Sequence, residues 1–160
     1  MRTPIAILRG TLAALGLIVA AQALAQAPRS LTPPTIEGPL AVTEVARGFA
    51  HPWGLAFLPD GRMLVTERPG RLVVLEADGQ SRRTLAGVPS VRAGGQGGLL
   101  GIALSPNFAQ DRLVYLSFSE AGDGGAGTAV ARGRFTGTAL ENTEIIWRQV
   151  PKVGGGNHWG

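Results

Sequence analysis

The strongest constraint on this fold is a rhythm of short apolar runs, each cut off by a turn dipeptide before it is long enough to be a helix. Trp53-Gly-Leu-Ala-Phe-Leu58 ends at Pro59-Asp60-Gly61, Met63-Leu-Val-Thr66 at Pro69-Gly70, and Leu72-Val-Val-Leu75 at Asp78-Gly79; Arg83-Thr-Leu85 follows. Each run has the length of a strand, and each break has a backbone reason, since Pro presets φ and Gly accepts positive φ. Four strands in a meander within about 40 residues form the standard blade of a β-propeller. The unit then repeats. Gly54-Leu-Ala-Phe-Leu-Pro59 is echoed 47 residues later by Gly101-Ile-Ala-Leu-Ser-Pro106, and each is followed by a turn and a β-rich run, Met63 to Thr66 or Leu113 to Phe118.

The second unit continues through a glycine-rich stretch, 121–127, read as a flexible loop, and then through Ala129-Val-Ala131 and Ile145-Ile-Trp147. Beyond Pro151, Gly154-Gly-Gly-Asn-His-Trp-Gly160 has the form of a loop leading toward a third blade. Composition agrees with many tight turns and few surface helices: 24 Gly and 11 Pro accompany only 16% charged residues. The expected fold class is therefore all-β. It comprises about two blades, 40–90 and 91–150, with 151–160 approaching a third, and two blades by themselves cannot close a ring.

Ahead of this domain, Arg2 and Arg9 precede an apolar stretch from Thr11 to Ala21, followed by Ala23-Leu24-Ala25 and Ala25-Gln26-Ala27. These are the parts of a secretory signal peptide, placed at 1–27, and imply a periplasmic or secreted protein. The apolar stretch is shorter than the roughly 20 residues a membrane-spanning helix needs. No stable membrane span is expected after cleavage. Pro28, Pro33, Pro34 and Pro39 mark 28–39 as an extended linker. The net charge of +4 is spread among acids without a basic run, which argues against nucleic acid as a partner. Zero Cys excludes disulfides, thiolate nucleophiles and Cys-ligated metals. The glycines around 125–130 lack the third glycine of a dinucleotide fingerprint and no long amphipathic helix follows, which argues against a Rossmann fold.

Three segments, His51-Pro-Trp-Gly-Leu-Ala-Phe-Leu-Pro-Asp-Gly-Arg-Met-Leu-Val-Thr-Glu-Arg68, Gly94-Gly-Gln-Gly-Gly-Leu-Leu-Gly-Ile-Ala-Leu104 and Gly154-Gly-Gly-Asn-His158, resemble the soluble quinoprotein glucose/aldose and sorbosone dehydrogenases, in that family's order. The resemblance covers nearly all of the chain after Val42. It implies a six-bladed β-propeller that holds pyrroloquinoline quinone, with calcium beside it, and oxidises an aldose sugar at its anomeric carbon to the lactone. Electrons then pass to an external acceptor. By position, His158 matches the family's general base and Gln96 a glutamine that reaches substrate and cofactor. Asn157 stands where relatives have Asp or Gly, and Trp159 where they have Phe or Gln, so the polar role of Asn157 and the pocket wall depart from the family pattern. The quinone clamps and calcium ligands of the family belong to later blades, beyond residue 160, so no metal ligand is assigned and the 160-residue chain is expected to be inactive alone.

The residue chemistry fits these roles. Removing a proton from an anomeric hydroxyl calls for a base titrating near neutrality, as imidazole does. A glycine-rich approach lets backbone come close to a flat cofactor, and the Gln96 amide can both donate and accept hydrogen bonds. The structural readings are a solvated or capping His158 and a Gln96 that bonds its own turn. His51 is read as structural, Trp53 as packing between blades, Glu67 and Arg68 as ion-pair residues at a surface or between blades, and Asp60 and Asp78 as turn residues. Two other functions suit the same fold: a metal-dependent lactonase using Glu67 and Asn157 as ligands, and a non-catalytic propeller binding carbohydrate or protein.

Overall fold

The structure, a computed structural model, describes residues 29–157. The proposed signal peptide at 1–27 and residues 158–160, His158 among them, lie outside the described residues.

The described residues open with a small irregular hairpin. Strand β1 (Ser30–Leu31) pairs with β4 (Val42–Thr43), and β2 (Pro34–Thr35) pairs with β3 (Gly38–Pro39). The proline-rich stretch is therefore paired in part within itself, through β2 and β3, and in part with residues just beyond it, through β1 and β4. Leu31, Ile36 and Leu40 stay exposed on it.

Two four-stranded antiparallel meanders follow. The first contains β5 (Pro52–Phe57), β6 (Met63–Glu67), β7 (Arg71–Leu75) and β8 (Arg82–Leu85). The second contains β9 (Leu99–Leu104), β10 (Leu113–Gly122), β11 (Gly125–Phe135) and β12 (Leu140–Arg148). The apolar runs read from sequence thus become strands in chain order. Asp60 and Asp78 act at the turns: their carboxylates accept the Arg62 and Gln80 N–H groups at 3.2 and 2.8 Å. The second meander departs from the first in one connection, where a single helical turn, α1 (Phe108–Asp111), stands between β9 and β10.

The echoed glycines occupy equivalent places. The Gly54 N–H donates to Thr66 Oγ1 at 2.8 Å and the Gly101 N–H to Ser117 Oγ at 2.9 Å, each across an irregularity in the pairing of a blade's first two strands. A hydroxyl of the second strand replaces the carbonyl that a regular ladder would offer, so neither N–H is orphaned.

The meanders meet face to face. Leu64, Leu72, Val74 and Leu85 from the first pack with Leu99, Val114, Leu116, Phe118, Ala129 and Ala131 from the second in one buried cluster. Full burial of each large aliphatic side chain contributes about 1.5–3 kcal/mol. Polar ties cross the same seam. Thr66 Oγ1 donates to the Leu100 carbonyl at 2.6 Å, the Leu99 N–H to the Arg68 carbonyl at 3.0 Å, and Arg83 to the Gly137 carbonyl at 2.7 Å. The other face of the first blade is partly covered by the strand-free segment before β5: Arg82 reaches the Arg47 and Gly48 carbonyls and stacks over Phe49. On that face Trp53, Leu55 and Phe57 are half or more exposed. Trp53 thus lies outside the seam between these two blades.

The glycine-rich stretch 121–127 is not a flexible loop. Strands β10 and β11 pair without interruption up to Gly122 and Gly125, and the turn between them is only Asp123-Gly124. Glycine and alanine give no periodic signal, so the sequence alone shows nothing of this hairpin's length.

Candidate active site

The segment after β12 turns back onto the glycine hairpin. Ala126 and Val153 exchange two backbone hydrogen bonds, each 2.9 Å. The approach is possible because the hairpin has no side chains in the way: a Cβ on Gly125 would lie 2.1 Å from the Val153 carbonyl oxygen. The Lys152 stem crosses Gly122 and Gly127, and its ammonium reaches Glu120 at 2.7 Å, where Arg148 also donates at 3.0 Å. Burial opposes charge on Glu120, but these two cations outweigh it and hold its carboxyl below the ordinary value. This anchor fixes the direction in which 154–157 leaves the blade.

That direction leads to the loop before β9. The Gln96 N–H donates to the Gly156 carbonyl at 2.7 Å, and an Arg92 guanidinium nitrogen lies 3.3 Å from the Gly155 carbonyl. Gly95, at φ 56°, faces Gly156 so closely that a Cβ there would fall 2.4 Å from its oxygen. The two glycine-rich loops singled out in the sequence therefore touch, although some 60 residues separate them. The structure brings together Gln96 and Asn157, both exposed, on one rim. His158, next in the chain, is outside the described residues.

Around this rim the backbone is bare. Gly94, Gly154 and Gly155 have no atom within 4 Å of where a Cβ would stand. Open space over unsubstituted backbone, edged by an exposed amide side chain, fits a flat heteroaromatic group such as pyrroloquinoline quinone. Among the described residues no group of three or more His, Asp or Glu side chains is placed to hold a metal ion.

Glu67 is engaged elsewhere. It is buried, takes the Ala50 N–H at 2.5 Å, and pairs at 2.5 Å with Arg71, its cross-strand neighbour. Burial raises its proton affinity, but the bonds from Arg71 and Ala50 prevail and its carboxyl titrates below the ordinary value. Both oxygens are occupied, which leaves little for the metal-ligand role imagined for it. Its ion pair lies within the blade, with the carboxylate buried and the Arg71 side chain half exposed, where the sequence suggested a pair at a surface or between blades. His51 is exposed at φ 52°, and its carbonyl accepts the Arg68 N–H at 3.0 Å, a backbone role. Two further contributors were not foreseen: Lys152, whose signal was a lone lysine just before the triple glycine, and Ser119, a polar residue in an apolar strand.

Two four-stranded meanders packed face to face, with loops from successive units meeting at one end, define this chain as two blades of a β-propeller. A family model described as Glucose / Sorbosone dehydrogenase matches residues 49–160, and the chain belongs to that family. Over 114 residues it is 50% identical to the aldose sugar dehydrogenase YliI of Escherichia coli, covering 69% of this chain and 31% of that one. A crystal structure of a glucose dehydrogenase superposes with a TM-score of 0.67 at 52% identity, over 71% of this chain and 34% of its own. The PQQ-bound aldose sugar dehydrogenase of Streptomyces coelicolor superposes with a TM-score of 0.60 at 37% identity, over 68% and 33%. The chain thus spans about a third of the length of these relatives.

Proposed function

We propose that this chain supplies part of the active site of a quinone-dependent aldose dehydrogenase, oxidising the sugar at its anomeric carbon to the lactone. The observation that carries the reading is the hydrogen bond joining the Gln96 loop to the 154–157 loop, which puts two family-matched positions on one rim. When bound, pyrroloquinoline quinone supplies the two-electron acceptor for the hydride that leaves the anomeric carbon. The hydroxyl proton on that carbon goes to His158, a base suited to neutral pH. Gln96 orients the sugar hydroxyl or a quinone oxygen through its amide, and Asn157 lends a neutral polar group beside the base. Gly94, Gly154 and Gly155 admit the flat ring system, and the docked 151–153 segment holds the second loop in place. Calcium, held by residues outside this chain, and an external electron acceptor complete the proposal. A leader at 1–27 would send the protein to the periplasm or medium.

The test is reconstitution of the full-length protein with the quinone and calcium, followed by dye reduction with a panel of aldoses and analysis of the product. Sugar-dependent reduction that requires the quinone, with lactone formed, is expected. Lactone hydrolysis with calcium alone would support the lactonase reading, and sugar binding without turnover the non-catalytic one; either would overturn the proposal.

A further inference from the structure

The Gln96 loop leaves and rejoins the blade at one buried residue. Ser119, on β10, is fully buried. Its hydroxyl donates to the Arg92 carbonyl at 2.6 Å and accepts the Gly98 N–H at 2.7 Å. Its own backbone repeats the pattern, with the Arg92 N–H on the Ser119 carbonyl at 2.8 Å and the Ser119 N–H on the Gly98 carbonyl at 2.9 Å. Four hydrogen bonds from one residue therefore pin both feet of the loop whose tip carries Gln96. Within the loop, the Gly97 N–H turns back to the Gly94 carbonyl at 2.8 Å.

We infer that Ser119 is a positioning residue for Gln96, fixing the loop so that its amide meets the 154–157 rim. The inference rests on the proposed role of Gln96. Its physical basis is that a hydroxyl can donate and accept at once. Alanine would leave the part-buried Arg92 carbonyl and the buried Gly98 N–H short of these partners, and the local cost would be met by loosening the loop. Backbone bonds from Ser119 would persist, so the blade should stay folded and only the loop's placement should degrade. A displacement of about 1 Å at a reacting centre can cost up to about 10²-fold in rate.

The experiment uses the full-length protein with quinone and calcium, comparing Ser119→Ala, Gln96→Ala and the double variant, with amide hydrogen exchange as a readout independent of activity. Exchange at Gln96 to Gly98 should quicken at least tenfold in Ser119→Ala while the amides of β6 and β7 are unchanged. The fall in kcat, about tenfold, should be largely absent when Ser119→Ala is made in the Gln96→Ala background, since both changes disable one device. Unchanged loop exchange, or an equal loss of kcat in both backgrounds, would overturn the inference. If Gln96→Ala is fully active, the role of Gln96 falls, whereas exchange still decides whether Ser119 holds the loop. Ser119→Cys, which keeps a weak donor and acceptor, should recover part of the protection; recovery no better than in alanine would argue against the hydroxyl as the cause.

Discussion

Gly95→Ala separates a structural glycine from a site glycine by one methyl group. In the folded chain that methyl carbon would stand 2.4 Å from the Gly156 oxygen and 3.0 Å from its carbonyl carbon. Carbon and oxygen resist approach much below ordinary contact distance, so the two loops must part by about 1 Å. The 2.7 Å bond from the Gln96 N–H to the same oxygen then stretches beyond hydrogen-bonding range. Alanine at φ 56° adds about 1–2 kcal/mol of left-handed backbone strain. The loops are at the rim, so this energy is relieved by their separation more readily than by unfolding of the blades. The expected outcome in the full-length, quinone-loaded protein is a fall in kcat of about 10–10²-fold, with a urea midpoint close to that of the parent. Gly137→Ala is the matched control, because Gly137 also has a positive φ, lies in the connection between β11 and β12 at the other end of the blade, and has no atom within 4 Å of its added methyl. Dye-reduction kinetics on both variants at saturating quinone and calcium provide the measurement. If Gly95→Ala turns over within twofold of Gly137→Ala, the contact between the loops does not matter to the chemistry and the proposed site falls.

Thr66→Val should cost about 2–4 kcal/mol, since it deprives the part-buried Gly54 N–H and the buried Leu100 carbonyl of one partner each; urea unfolding with an unchanged m-value checks it, and Ser117→Ala, which removes the hydroxyl that accepts the Gly101 N–H, should cost less. Glu67 has a lowered carboxyl pKa in the fold, so its stabilisation is present above the ordinary value of 4.5 and is lost as pH falls through the lower folded value. Glu67→Gln should therefore be less stable at neutral pH but show a flatter acid limb below about 4.5 in urea midpoints measured across pH; parallel limbs would count against the pairing with Arg71. His158→Gln in the full-length protein should lower kcat by about 10²–10⁴-fold with quinone binding little changed; a normal kcat with the same pH profile would remove His158 as the base.

The blades were legible because their signal is local. Runs such as Leu72 to Leu75 are bounded by turn dipeptides, and the Gly54 and Gly101 echoes mark where each unit begins. The partner of Glu67 was legible in principle too. Once Pro69-Gly70 is taken as a hairpin turn, register sets Glu67 opposite Arg71. What escaped the sequence is where segments of one kind lie on segments of another. Gly122 to Gly127 reads as a loop because it lacks side chains, yet that lack is what lets 152–153 dock. Ser119 and Thr66 read as ordinary strand residues, because their partners are 12 to 34 positions away. Ser119 lies on the opposite face of β10 from Val114, Leu116 and Phe118 and is nonetheless fully buried; such a hydroxyl is informative, since a buried polar group must be satisfied by something. In both blades that partner is backbone: Thr66 binds the strand opening the next unit, and Ser119 binds the loop that leads into the same strand. The site loop is therefore held by the fold's own solution to pairing one blade with the next, so rearranging the seam between blades should move Gln96 as surely as a substitution beside it.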